Sequence, residues 1–489
     1  MNLRKTLINS TLRKRILSSH TSKNFTIKLK DFAQYNSKST KPFVLKNFIN
    51  GQFTTTAKHE EFLDPLKGTK FLEAPLTEKN EMNELIADMN SVPKYGLHNP
   101  LLNPERYVLY GNICRKLANA LHDEEIFNHF CKLIQRVFPK QDLQCAGETK
   151  VLRSFLENYA GDNVRFLAKS FNTPGDHNGQ QATGYRWPYG AVAVITPFNF
   201  PLEIPVVQSL SALFMGNKVV VKVDSKVALP FQEFLNLMLA CGLPEKDLHF
   251  VHTNGENMEH LLIQSNLRMT QFTGSSKVAN RLSQKLNGKI KMEDAGFDWK
   301  ILGPDVSNID VVSSICDQDA YAIAGQKCSA QSILFAHKNW MNEGIVDKLK
   351  NLAEARSLKK LTISPIMSWS NTRIQAHIDA VLKIPGAKLL FGGHPIKESH
   401  TIPDIYGSYV PTAIYVPIKA FSTKKHFDLL TVELFGPFQV ITDYSNVDDV
   451  LQIIERMENH LSAAVVSNDT LFLNKVLSKT SDGVTFSGI

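Results

Sequence analysis

The 489-residue sequence has only six cysteines (Cys114, Cys131, Cys145, Cys241, Cys316 and Cys328), with no Cys-x-x-Cys pair and no short Cys/His cluster. That pattern argues against a disulfide framework or a structural zinc and favours a reducing compartment. Long apolar runs are missing too. The richest stretch, Ala191–Val207, is broken by Asn199, Glu203 and three prolines, so no membrane-spanning helix is expected. Internal repeats are absent, and 43% hydrophobic with 21% charged residues excludes disordered, collagenous and disulfide-scaffold classes. A chain of this length is expected to fold as about two to four domains.

An excess charge of one sign is also missing from most of the chain. The net charge of +8 comes from residues 1–30, which hold eight bases and no acid; the rest balances 47 Lys and Arg against 47 Asp and Glu. A neutral body lacks the electrostatic footprint of a nucleic-acid-binding protein. The segment 1–40, rich in Ser, Thr, Asn and Arg/Lys, has the composition of a mitochondrial transit peptide and is expected to be a disordered leader, which places the protein in the matrix.

What is present is a regular alternation between about 191 and 293. Short β-branched runs at Ala191–Thr196, Lys218–Val223, Leu248–His252, Met269–Phe272 and Ile290–Glu293 predict strands. Between them lie helical patterns at Ile204–Met215, Ala228–Cys241, Glu256–Gln264 and Lys277–Leu286, with Gly216 and Gly242 where helix-ending glycines belong. Such βαβ units specify a parallel sheet, whose ligands bind beyond the carboxyl ends of the strands. A second α/β domain is expected from about 300. Its predicted strands are Asp305–Ser314, Ser332–His337, Ala387–Gly393, Thr412–Val416, Phe438–Tyr444 and Ser462–Ser467. The region before 185 reads as largely helical. Phe171–Arg186, polar and extended, predicts either an arm reaching another subunit or a surface loop.

Four motifs carry candidate chemistry. No Gly-x-Gly-x-x-Gly follows any strand, so the usual dinucleotide cradle is missing. In its place stands Phe272-Thr273-Gly274-Ser275-Ser276, able to hold a phosphate at a helix start or simply to cap that helix. Gly325-Gln326-Lys327-Cys328-Ser329 surrounds a cysteine with small neighbours, which suits an accessible nucleophile or a packed thiol. Glu293-Asp294 ends an inner strand, where a carboxylate is either a general base or a rim ion-pair partner. Glu433-Leu434-Phe435-Gly436-Pro437 sets an acid two residues before an aromatic at a turn, suited to ribose hydroxyls and ring stacking or to plain strand entry.

Together with Pro197-Phe198-Asn199-Phe200-Pro201 and Lys222, these motifs in this order resemble the aldehyde dehydrogenase superfamily. The similarity is greatest to its plant-type Δ1-pyrroline-5-carboxylate dehydrogenase group, through runs such as Glu293–Val306 and Cys316–Gln331. The resemblance implies an α/β, aldehyde-dehydrogenase-like fold of two doubly wound parallel-sheet domains, one NAD-binding (41–300) and one catalytic (301–480), with an oligomerisation arm near 171–187. It implies that Cys328 attacks the aldehyde, that Asn199 and the Cys328 N–H hold the oxyanion, that hydride passes to NAD, and that Glu293 activates water against the thioester. Thr196, Lys222, Ser225, Gly274, Ser275, Glu433 and Phe435 would contact NAD, and Ser329 the substrate, L-glutamate γ-semialdehyde. A homodimer or larger homo-oligomer is implied as well. The pattern departs in three places. Ser225 stands where many members have an acid, Ala295 replaces a glycine, and the sequence ends at Ile489, before the expected substrate-carboxylate anchor loop and interface strand. A dehydrogenase of another aldehyde, or an NAD-binding protein without turnover, remains the alternative.

Overall fold

The computed structural model describes residues 27–488 apart from Lys38, Thr40, Ala295 and His460. Most of the expected leader therefore lies outside the described residues. Its end does not: Ile27 and Phe32 are buried, and Phe32 stacks on Phe130 with ring centroids 6.0 Å apart. The main-chain N–H groups of Gln34 (3.0 Å) and Tyr35 (3.2 Å) donate to the fully buried carboxylate of Glu233. The expected disordered segment is corrected here, because residues 27–35 supply apolar cover and hydrogen bonds that the body lacks without them.

Two seven-stranded sheets organise the chain. The first contains β1 (Asn47–Ile49), β2 (Gln52–Thr54), β3 (Ala191–Thr196), β4 (Lys218–Val223), β5 (Leu248–Phe250), β6 (Met269–Thr273) and β7 (Ile290–Glu293), in the order β7-β6-β3-β4-β5-β1-β2. The five strands from β3 to β7 pair in parallel; β1 and β2 add an antiparallel edge. β3 and β4 are buried almost throughout, as near-continuous Val/Ala runs covered on both faces should be. The helix α1 (Asp142–Asn158) precedes this unit; α2 (Glu203–Phe214), α3 (Leu229–Ala240) and α4 (Ser276–Lys285) lie between its strands. Gly216, at φ +93° just past α2, leaves no room for a side chain: a Cβ there would stand 2.0 Å from the His98 carbonyl oxygen.

The second sheet holds β8 (Asp298–Leu302), β9 (Gln331–His337), β10 (Lys388–Phe391), β11 (Thr412–Tyr415), β12 (Phe438–Tyr444), β13 (Ser462–Val466) and β14 (Val484–Ser487), in the order β10-β11-β12-β9-β8-β13-β14. Every pairing is parallel except β10 with β11. Two expectations change here. Asp305–Ser314 is not a strand, because Ile309–Tyr321 forms a helix, α5, that buries Val312, Cys316 and Ala320 at helical spacing. The sheet begins instead at Asp298, inside the range assigned to the first domain. Segment Phe171–Arg186 contains an exposed two-stranded hairpin, Phe171–Pro174 paired with Gln181–Gly184. Among the described residues no helix is long and apolar enough to cross a membrane.

Candidate active site

The ends of β6 and β7 meet the loops of the second sheet. Thr273 pairs with Glu293 in register, and the Gly274 N–H donates to the Glu293 carbonyl at 3.1 Å. Glu293 is thereby fixed at a strand end beside the start of α4, where Ser275 is the N-cap residue with its hydroxyl uncommitted to capping. The Ser276 hydroxyl closes the turn by donating to the Asp294 carbonyl at 2.9 Å.

Cys328 arrives on a strained loop. Ile323, Ala324 and Gly325 take left-handed φ values of +58°, +52° and +67°, a conformation costing about 1–3 kcal/mol at each residue other than glycine. Gln326 holds it. Its fully buried side chain donates to the carbonyls of Ile323 (3.1 Å) and Pro365 (3.0 Å) and accepts the Met367 N–H (2.7 Å). A Cβ on Gly325 would stand 2.1 Å from the Gly436 carbonyl oxygen, and one on Gly296 would stand 2.6 Å from that of Cys328. These glycines therefore let the three motif loops touch. Phe435, at φ +52°, accepts the Ser368 hydroxyl at 2.8 Å through its carbonyl and meets Phe198 edge-on, with centroids 6.0 Å apart.

The result is a cavity of about 300 Å³ lined by Asn199, Gly274, Ser275, Glu293, Cys328, Glu433 and Phe435, among others. Asn199 is buried, and its Oδ1 has no hydrogen-bond partner. Burial first, then the Glu293 carboxylate to which the thiol is hydrogen-bonded, pushes the Cys328 thiol up to about 12. Burial, with Asp298 next, raises the Glu433 carboxyl to about 8. Burial raises Glu203 to about 7, helped by Glu148 and Glu293 and opposed by Lys140. Burial among other carboxylates thus brings Glu433 and Glu203 toward neutrality.

The remaining motif residues sit nearby but do not line this cavity. Thr196 ends β3 with its Oγ1 buried and unpartnered; Lys222 lies near the end of the adjacent β4. Burial lowers the Lys222 ammonium. The Ser225 hydroxyl lies 3.4 Å from His252 Nδ1. Ser329 lines a different cavity, with Asp298, Lys327 and Gln331. Lys226, Met367 and Trp369 also line the 300 Å³ cavity, and no motif pointed to them. Lys226 lies over the Phe198 ring at 4.7 Å and pairs with Asp224 at 3.0 Å. The Lys-x-x-x-Lys spacing in Lys222–Lys226 was its one legible signal.

A thiol, a carboxylate and an amide line one cavity between two largely parallel sheets, the architecture of an α/β enzyme. The aldehyde dehydrogenase family model matches residues 53–486. The chain is 49% identical over 451 residues to the mitochondrial Δ1-pyrroline-5-carboxylate dehydrogenase 12A1 of Arabidopsis thaliana, covering 92% of this chain and 81% of that protein. Two solved structures share the fold. Methylmalonate-semialdehyde dehydrogenase of Oceanimonas doudoroffii has a TM-score of 0.78 at 18% identity, over 91% of this chain and 89% of that one. A 3,6-anhydro-L-galactose dehydrogenase in complex with NAP has 0.76 at 17%, over 91% of each. The protein belongs to the aldehyde dehydrogenase family.

Proposed function

We propose that this protein oxidises L-glutamate γ-semialdehyde, in equilibrium with Δ1-pyrroline-5-carboxylate, to glutamate, using NAD. The observation that carries the chemistry is that Cys328, Glu293 and Asn199 line one cavity with the thiol hydrogen-bonded to the carboxylate. The choice of aldehyde rests on similarity to the Arabidopsis enzyme.

The residues fit a dinucleotide. The orphaned Thr196 hydroxyl, the uncommitted Ser275 hydroxyl at the start of α4, and Lys222 offer donors at neighbouring strand ends. Gly274 and Ser275 would hold the pyrophosphate, Lys222 and Ser225 the adenosine ribose, Thr196 the nicotinamide side, and Glu433 with Phe435 the nicotinamide ribose and ring. When bound, NAD supplies the acceptor for the hydride that the substrate carbon gives up.

Cys328 gives up its thiol proton to solvent, and the thiolate sulfur attacks the aldehyde carbon. The Asn199 amide and the Cys328 N–H receive the oxyanion; donors placed where charge develops contribute about 3–4 kcal/mol each. After oxidation the substrate is a thioester on Cys328. Glu293 then deprotonates water, which attacks the acyl carbon and releases glutamate and the thiol. Ser329 enters this reading only as a residue shaping the nucleophile's loop.

The reading extends to mitochondrial import, directed by the basic segment before Ile27, with the packed residues from 27 onward retained. The hairpin region, which exposes Phe171, Tyr185 and Trp187, supplies the contact for a homo-oligomer. Purified protein given NAD and Δ1-pyrroline-5-carboxylate is expected to form NADH, and Cys328→Ala to abolish it. Turnover of another aldehyde alone would replace the substrate; NAD binding without turnover of any aldehyde would refute the enzymatic reading.

A further inference from the structure

Behind the cavity, Lys140 and Glu148 are both fully buried and paired at 2.6 Å. They do not merely neutralise each other. Lys140 Nζ also donates to the main-chain carbonyl of Asn199 at 3.3 Å and lies 4.8 Å from the Phe200 ring centroid. The second Glu148 oxygen accepts the N–H groups of Leu202 (2.9 Å) and Glu203 (3.1 Å) at the start of α2. The pair therefore grips the turn between β3 and α2 at both ends, and that turn carries the Asn199 side chain.

We infer that Lys140 and Glu148 are positioning residues that aim the Asn199 amide at the reacting carbonyl. The inference rests on the role given to Asn199 above. Stability alone does not account for the pair, because taking two charges out of water costs about as much as their attraction returns, and apolar replacements are often no less stable. What an apolar pair cannot do is donate to the Asn199 carbonyl while accepting from two amides. Asn199 Oδ1 has no partner of its own, so the main chain sets the direction of the side chain. A misplacement of about 1 Å in such a group lowers rate about 100-fold.

The test uses the full-length enzyme with NAD and Δ1-pyrroline-5-carboxylate and compares kcat, KM, the NAD dissociation constant and thermal stability. Lys140→Met is expected to lower kcat about 100-fold while leaving the NAD dissociation constant unchanged. Lys140→Met with Glu148→Gln removes both charges but keeps an acceptor for Leu202 and Glu203. It is expected to recover stability without recovering kcat. In an Asn199→Ala background, Lys140→Met is expected to change kcat less than about threefold, because the group it positions is gone. Recovery of kcat along with stability, or losses that multiply across the two sites, would overturn the inference and leave the role of Asn199 standing. Full kcat in Asn199→Ala would overturn both.

Discussion

Replacing Glu293 by glutamine should make the free enzyme's thiol more reactive while stopping turnover. The Glu293 carboxylate raises the Cys328 thiol in two ways, through its charge and by accepting the S–H hydrogen bond, on top of burial; together they bring it to about 12. An amide removes the charge. Far below its pKa, a thiol gains about tenfold in thiolate for each unit by which the pKa falls. The thiolate's intrinsic nucleophilicity drops over the same unit by a factor of about 3, from a Brønsted slope of about 0.4–0.5. Ionisation wins, so each unit yields a net gain of about threefold. Alkylation of Cys328 by iodoacetamide at pH 8, followed by peptide mass spectrometry, should therefore run faster in Glu293→Gln, by about threefold for each unit by which the thiol's pKa falls, while steady-state NADH formation is lost. Slower alkylation in the variant would refute the reasoning, because it would mean that Glu293 serves the resting thiol mainly as a proton acceptor.

Three other outcomes follow from the structure. Gly296→Ala places a methyl group 2.6 Å from the Cys328 carbonyl oxygen, so kcat should fall about 100-fold from displacement of the nucleophile's loop, as read in steady-state assays. A variant beginning at Lys41 removes Ile27, Phe32 and two donors to the buried Glu233. It should lose about 5 kcal/mol against one beginning at Ile27 in chemical denaturation, with Glu233→Gln restoring part; equal stabilities would contradict the packing described. Glu433, raised to about 8 by burial, binds a proton in the folded state over a range where the unfolded chain, at about 4.3, does not. Its contribution is complete below that lower value and is lost as pH rises toward about 8. Ligand-free protein should lose stability across that window, by at most about 1.4 kcal/mol per pH unit from this group, and Glu433→Gln should flatten the denaturation midpoints.

The first sheet was legible because its inner strands are buried on both faces and read as unbroken Val/Ala/Ile runs bounded by Gly216 and Gly242. The second was harder. β8, Asp298–Leu302, is wholly buried yet includes Asp298 and Lys300, which disguise a strand. Each has a partner: the Ser462 N–H donates to Asp298 Oδ1 at 2.7 Å and Lys300 Nζ donates to Asp319 at 2.5 Å, while Asp298 Oδ2 is buried without one. Ile309–Tyr321 misled in the opposite sense, since Val311 and Val312 favour a strand while burial of Val312, Cys316 and Ala320 decides for a helix. Within the site, motif order singled out Cys328, Glu293 and Asn199, which line one cavity. It could not find Gln326 as the clamp or Lys140 and Glu148 as the grip on the Asn199 turn, because those roles depend on partners 39 to 59 positions away. Nor did it foresee that Ser329 faces another cavity.

The most direct measurement is to trap the acyl group. Glu293→Gln, lacking the base for hydrolysis, should be mixed with NAD and Δ1-pyrroline-5-carboxylate, quenched in acid and mapped by peptide mass spectrometry. The account predicts one glutamyl thioester, on the peptide that carries Cys328, formed with a stoichiometric burst of NADH. An NADH burst with the acyl group on another cysteine, or with none on Cys328, would contradict it.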